Sequence, residues 1–140
     1  MLIHGSCHCG NLSFELVWPV ASETIAARAC SCTFCVKHGA RWTANAAAGL
    51  TVHRKDASLV EAYAFGTKTA DFHVCKVCGV VACSTSRIDG RLYAVVNVNS
   101  FDDFDASRLV IGDVNFDGEE ESERLARREA NWIGDVRFLG

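Results

Sequence analysis

The stretches Cys7-His8-Cys9, Cys30-Ser31-Cys32-Thr33-Phe34-Cys35 and Cys75-Lys76-Val77-Cys78 decide the fold, because they hold seven of the chain's eight cysteines. Disulfides between such close neighbours are strained, since bridged Cα atoms must lie about 4.4–6.8 Å apart with matched Cβ directions. A metal ion instead gathers several thiolates at about 2.3 Å and tolerates one or two residues between them. The spacing therefore predicts metal binding, with a disulfide-bonded secreted domain as the alternative.

Seven thiolates exceed the four ligands of one tetrahedral metal ion, so the groups divide into four plus three. The two pairs are predicted to form one closed structural site, made of Cys7, Cys9, Cys75 and Cys78. Such a site would tie the N-terminus to a segment halfway along the chain. A glycine directly follows each pair, Gly10 after Cys9 and Gly79 after Cys78, and glycine suits the tight backbone of a metal-binding turn.

The triplet Cys30, Cys32 and Cys35 is predicted to form a second, open site, because three protein ligands leave one position of a tetrahedral ion free. The triplet could instead be reduced, hold no metal, or be completed by His38. Zinc is the expected metal, although iron also suits a site of four sulfurs. Cys83 lies in an apolar run and is predicted to be an ordinary buried thiol.

The remaining histidines have weaker predicted roles. His4 and His73 flank the first and third cysteine groups and are candidate hydrogen-bond donors near the ligands. His8 lies between two ligands and is expected to point away from the metal. A histidine is more often a surface or hydrogen-bonded residue than a ligand.

Composition limits the class of protein. The chain has 140 residues, a formal charge of −3, 49% apolar residues and a pI near 5.9. These values indicate one soluble globular domain over 1–140 and argue against nucleic-acid binding, which needs a basic face. Apolar runs are too short to cross a bilayer, and the N-terminus lacks a secretory signal pattern. We therefore expect a cytoplasmic protein, whose clustered cysteines bind metal or do chemistry.

Patterning predicts a mainly β domain with one C-terminal helix. In residues 11–18 the apolar side chains alternate, as in a strand with one buried face. Further strands are predicted over 25–29, 41–46, 50–53, 59–65, 71–75, 80–85 and 92–98. Residues 71–75 and 80–85 flank the Cys75–Cys78 pair, which is predicted to lie at the tip of a hairpin.

Residues 119–132 are predicted to form an amphipathic helix, since acidic residues come first and arginines follow. Glu120 with Arg124 and Glu123 with Arg127 have the spacing of ion pairs on one helix face. This charged face is interpreted as solvated rather than as a binding site.

The cysteine motifs, written Gly5-Ser6-Cys7-His8-Cys9-Gly10, Cys30-Ser31-Cys32-Thr33-Phe34-Cys35 and Cys75-Lys76-Val77-Cys78-Gly79, resemble the glutathione-dependent formaldehyde-activating enzyme family. The later stretch 94–103, Ala-Val-Val-Asn-Val-Asn-Ser-Phe-Asp-Asp, supports the resemblance. The similarity extends over about residues 3 to 120, and the predicted C-terminal helix lies mostly outside it.

The resemblance implies an Mss4-like fold of β-sheets around zinc. It implies a structural zinc at Cys7, Cys9, Cys75 and Cys78, and a catalytic zinc at Cys30, Cys32 and Cys35. The implied activity is that of a carbon–sulfur lyase, which forms or cleaves the adduct of glutathione with formaldehyde, S-hydroxymethylglutathione. A similar thiol or another small aldehyde would suit the same chemistry.

Glutathione carries carboxylates, so a basic rim is expected near the triplet. Arg28, Lys37, His38 and Arg41 are the candidates for this rim, against the alternative that they are solvated. Two other functions stay open at this point. One is a non-catalytic, zinc-stapled module that binds a protein partner, and the other is a redox switch that uses the triplet thiols.

Overall fold

The computed structural model describes residues 1–19 and 21–140, and in this part of the chain the backbone forms eleven strands and two α-helices. The strands are β1 (Leu2–Ser6), β2 (Leu12–Val17), β3 (Ile25–Cys30), β4 (Arg41–Thr43), β5 (Gly49–Arg54), β6 (Val60–Tyr63), β7 (Asp71–Cys75), β8 (Val81–Ile88), β9 (Arg91–Asn97), β10 (Leu109–Val114) and β11 (Asp135–Leu139). The helices are α1 (Thr33–His38) and α2 (Glu121–Asn131).

The described strands form two sheets. The smaller has four strands in the order β1-β2-β5-β11, and the larger has seven in the order β10-β3-β4-β9-β8-β7-β6. Most neighbours are antiparallel, but β10 runs parallel to β3, and β11 runs parallel to β5. The larger sheet carries both Cys30, at the end of β3, and Cys75, at the end of β7.

One hydrophobic core takes side chains from both sheets. In β2, Leu12, Phe14 and Leu16 are buried while the residues between them are not, which confirms the predicted alternation. They share a cluster of buried side chains with Ala94 and Val96 of β9. Removal of this apolar surface from water is the main stabilising contribution to such a fold.

A second core lies on the other face of β9. Tyr93 and Val95 alternate with Ala94 and Val96, and they pack in a separate cluster with Trp42 and Trp132. The strand is therefore buried on both faces, as its run of branched residues predicts. Helix α2 contributes Leu125 to this second core.

The structure confirms the mainly β, Mss4-like fold with one longer helix near the C-terminus. Sequence patterning did not predict β1, β10, β11 or the six-residue helix α1. No helix in the described residues has the length and apolar character to cross a membrane.

The interpretation of α2 as a solvated charged helix was wrong in part. Arg128 on this helix is only 6% exposed, because that face packs against the larger sheet. The ion pairs in the structure also differ from those predicted for Glu120 and Glu123. Glu119, which lies just before the helix, pairs with both Arg124 and Arg127.

Candidate metal centres and the adjoining cavity

The four paired cysteines come together although 66 residues separate Cys9 from Cys75. The sulfur atoms of Cys7, Cys9, Cys75 and Cys78 all lie within 4.8 Å of one another. The Sγ atoms of Cys7 and Cys9 are 3.7 Å apart, and those of Cys9 and Cys75 are 3.5 Å apart. Ligands at about 2.3 Å around a tetrahedral zinc ion would be about 3.8 Å apart, so this donor set fits the metal.

Two tight turns position these sulfurs. The backbone N–H of Gly10 donates to the Cys7 carbonyl at 3.1 Å, and that of Gly79 donates to the Cys75 carbonyl at 2.8 Å. Both glycines have positive φ, 83° and 80°, a conformation that other residues rarely adopt, as the sequence predicted. The second turn joins β7 to β8, which confirms the predicted hairpin.

The four thiols do not share one environment. Burial raises the pKa of Cys7 to about 11. Desolvation acts to raise the pKa of Cys78 too, but hydrogen bonds from the backbone of Val80 and Cys9 and from the Cys75 and Cys7 thiols lower it to about 6. Cys7 and Cys75 belong to the first hydrophobic core, so the group is anchored there.

The triplet forms a second, separate group. The sulfurs of Cys30, Cys32 and Cys35 lie within 4.8 Å of one another, a separation that three ligands of one metal ion can have. Cys30 ends β3, Cys32 caps the N-terminus of α1, and Cys35 lies in that helix and is buried in the second core. Helix α1 thus positions two of the three cysteines, Cys32 at its N-cap and Cys35 in its middle.

Hydrogen bonds in the triplet favour thiolate at one position. The Cys35 backbone N–H donates to Cys32 Sγ at 3.4 Å, and the Trp42 indole N–H donates to Cys35 Sγ at 3.4 Å. A hydrogen bond from Cys35 lowers the pKa of Cys30 to about 5, and the same bond raises the pKa of Cys35. Cys30 is therefore the thiolate of this pair near pH 7, which is the form that binds a metal, whereas a metal would have to displace the proton of Cys35.

The triplet lines a cavity of about 500 Å³. One part of its wall is aromatic and includes Trp42, Phe65, Phe72 and Trp132. Another part is cationic and includes Arg28, Arg124, Arg127 and Arg128. Three of these arginines and Trp132 belong to α2 or directly follow it, and sequence reasoning did not assign them to the site.

The predicted basic rim is only partly correct. Arg28 lines the cavity, whereas Lys37, His38 and Arg41 are not among its lining residues. Arg41 donates to the Asn99 side chain at 2.7 Å, and the His38 ring packs on Phe34 with centroids 4.4 Å apart. The contacts of Arg41 and His38 thus lie outside the cavity.

Among the described residues, no histidine has a ring nitrogen in either cysteine group. His4 pairs with Asp103 at 2.6 Å, and His73 makes a buried hydrogen bond of 2.7 Å with Thr85. Burial lowers the pKa of His73 to about 4, so its ring is neutral near pH 7. Because neither ring nitrogen of His38 lies in the group of Cys30, Cys32 and Cys35, His38 does not complete the triplet.

All eight cysteines are unbridged, which contradicts the disulfide alternative. Cys83 is fully buried and outside both groups, as predicted. The two groups could each hold one metal ion.

Comparisons with known proteins agree with this arrangement. A family model described as glutathione-dependent formaldehyde-activating enzyme matches residues 2–111. A crystal structure of a Rhodobacter sphaeroides protein is 31% identical, covers 74% of this chain and 92% of its own, and superposes with a TM-score of 0.57. No curated protein matches the chain.

Proposed function

This chain belongs to the glutathione-dependent formaldehyde-activating enzyme family, and we propose that it forms or cleaves the adduct of glutathione, or a similar thiol, with formaldehyde or another small aldehyde. The observation that carries the proposal is a group of three cysteines, Cys30, Cys32 and Cys35, that lines a cavity. A second group of four cysteines lies elsewhere in the fold. A purely structural role would need only the four.

Both groups are proposed to bind zinc. Cys7, Cys9, Cys75 and Cys78 would supply four ligands and hold the fold, while Cys30, Cys32 and Cys35 would supply three and leave one position open. When bound at the triplet, zinc would supply a positive charge that converts a thiol into its thiolate near neutral pH.

The triplet's charge favours delivery of a thiol over activation of a carbonyl. Three thiolates and a divalent cation would have a net charge of −1. This charge would weaken the attraction of the cation for a carbonyl oxygen. Cys35 and Cys32 keep fixed positions because hydrogen bonds from Trp42 and from the α1 backbone hold their sulfurs. The cavity beside them would hold the thiol and the aldehyde next to each other. Their reaction would then no longer depend on an encounter in solution.

The reaction itself is an addition. The thiol loses the proton of its S–H bond, its sulfur forms a bond to the aldehyde carbon, and the aldehyde oxygen takes up one proton. The product is a hemithioacetal, and cleavage is the reverse. No oxidant or reductant is required.

Exchange NMR with ¹³C-formaldehyde and glutathione tests this function, since it measures how fast the adduct and its components interconvert. The wild-type protein is expected to accelerate the exchange, and Cys32→Ser is expected to abolish the acceleration. Cys83→Ala removes a cysteine outside both groups and should retain it. Equal acceleration by wild type and Cys32→Ser would contradict the proposed role of the triplet.

A further inference from the structure

Arg128 is a buried cation without an anionic partner in the described part of the chain. Only 6% of it is exposed, and its Nη1 donates to two neutral hydroxyls, Thr69 Oγ1 at 2.8 Å and Ser86 Oγ at 3.2 Å. No carboxylate of residues 1–19 or 21–140 forms an ion pair with it, and its Nε has no hydrogen-bond partner there. A buried charge is costly unless it is paired, so this arrangement favours binding of an anion.

The guanidinium faces the cavity beside the cysteine triplet. The guanidinium lies over the Trp132 ring, with its carbon 5.0 Å from the ring centroid. Burial, followed by the nearby charges of Arg124 and Arg127, lowers the pKa of Arg128 to about 10. The group is still cationic near neutral pH, and an anion in the cavity would relieve both unfavourable effects.

Arg28 is a second cation of the cavity wall, and the nearby Cys30 thiolate and the Phe116 ring partly offset its charge. It is half-buried, and no carboxylate of the described residues forms an ion pair with it. Arg127 and Arg124, by contrast, are both neutralised in part by Glu119. Asp117 is the acidic residue of the wall itself, and it forms no ion pair with Arg28 or Arg128.

The aromatic part of the cavity wall indicates what kind of ligand the cavity can hold. Phe65 and Phe72 stack with ring centroids 5.2 Å apart, and Trp42 meets Phe72 edge-on at 5.8 Å. This wall suits an apolar part of a ligand, and the cysteine triplet and the arginines line the parts of the cavity that suit a sulfur and an anion.

We propose that Arg28 and Arg128 form an anion subsite, which selects thiols that carry a carboxylate and directs the sulfur of these thiols to Cys30, Cys32 and Cys35. This inference rests on the proposed function and assigns the residues that would recognise the charged end of its thiol substrate. Arg128 lies in α2, outside the residues 2–111 that the family model matches, so the subsite uses a part of this chain beyond the matched region. The guanidinium group suits a carboxylate because it donates two parallel hydrogen bonds.

Calorimetric titration of the zinc-loaded protein tests the subsite with a matched pair of thiols, 6-mercaptohexanoate and its neutral amide. Their methylenes suit the aromatic wall, and they differ only in the charged end. The wild type is expected to bind the carboxylate about tenfold more tightly than the amide, since a charge-assisted hydrogen bond exceeds a neutral one by more than about 1 kcal/mol.

Arg128→Gln and Arg28→Gln should each reduce this preference at least threefold. Arg137→Gln is the matched control, because Arg137 is 72% exposed on β11 and lies outside the cavity. Arg28→Gln keeps the test decisive if Arg128→Gln fails to fold. Equal binding of acid and amide by the wild type would overturn the subsite, as would an unchanged preference in both cavity variants.

A thiol-free pair, hexanoate and hexanamide, separates this inference from the proposed function. If hexanoate binds in an Arg128-dependent manner and the thiol adds no affinity, the subsite stands and the role of the triplet fails. If both thiols bind tightly without preference for the acid, the subsite fails and the role of the triplet stands.

Discussion

Gly5 lies in β1 directly opposite Phe14 of β2, two residues before the ligand candidate Cys7. A Cβ atom at this position would overlap with Phe14 Cζ, far inside van der Waals contact. Phe14 is fully buried in the first core and has no free space to move into. The absence of a side chain at Gly5 therefore lets the ring cover the strand that leads to the cysteine turn.

Gly5→Ala is expected to lower the free energy of unfolding by about 1–3 kcal/mol, the usual cost of overpacking a core. Urea denaturation followed by circular dichroism measures the change. Gly112→Ala is the matched control, because Gly112 also lies in a strand, β10, and nothing approaches its Cβ position within 4 Å. Equal stability of the two variants would show that Phe14 moves aside at little cost.

At the level of single residues, the cysteine groups could be predicted because their spacing is a local property of the sequence. Sulfurs one or two residues apart on a turn can bind the same metal ion, and Cys7-x-Cys9 and Cys75-x-x-Cys78 have this spacing. The buried state of Cys83 followed in the same way from its apolar neighbours. The burial of Arg128 could not be predicted, because an amphipathic pattern does not reveal which charged residue packs against the sheet.

Helix α2 forms one wall of the cavity, and Glu119 orients Arg124 and Arg127 in the middle of this helix. Its two carboxylate oxygens accept hydrogen bonds from Arg127 Nε at 3.0 Å and from Arg127 Nη2 at 3.1 Å. The same guanidinium lies over Phe116, with its carbon 3.6 Å from the ring centroid. Hydrogen bonding to Arg127 lowers the pKa of Glu119, so the ion pair is charged at neutral pH.

Glu119→Gln is expected to reduce the free energy of unfolding by about 1–2 kcal/mol, since it replaces a two-bonded ion pair by a neutral contact. Chemical denaturation at pH 7 checks this. Glu129→Gln changes an exposed carboxylate on the same helix and should alter stability by less than about 0.5 kcal/mol. Similar losses in the two variants would mean that the Glu119 pair does not hold the helix in place.

Among the elements, strands with a clear alternation or a branched run were predictable, and β2, β7 and β9 are examples. Strand β10 was not, because its residues are mostly exposed and its parallel partner β3 is more than 75 residues away in sequence. Helix α1 has six residues, too few to show a helical period. The predicted ion pair between Glu120 and Arg124 does not form, because Arg124 pairs with Glu119, which precedes the helix.

In the whole molecule, the two cysteine groups attach to different cores. Cys7 and Cys75 pack in the first core, between the sheets, and Cys35 packs in the second core, beneath α2. The four-cysteine group thereby joins the N-terminal turn to the β7–β8 hairpin, whereas the triplet opens into the cavity. Because of this separation, each group could bind a metal ion independently of the other.

Zinc content by elemental analysis tests this two-site account most directly, with wild type, Cys32→Ser and Cys83→Ala purified in parallel. We predict about two zinc ions per chain in the wild type and in Cys83→Ala, and about one in Cys32→Ser, because three thiolates and four thiolates each bind one ion. A value of about one in all three proteins would contradict a metal at the triplet, and would leave a zinc-stapled module without the proposed reaction.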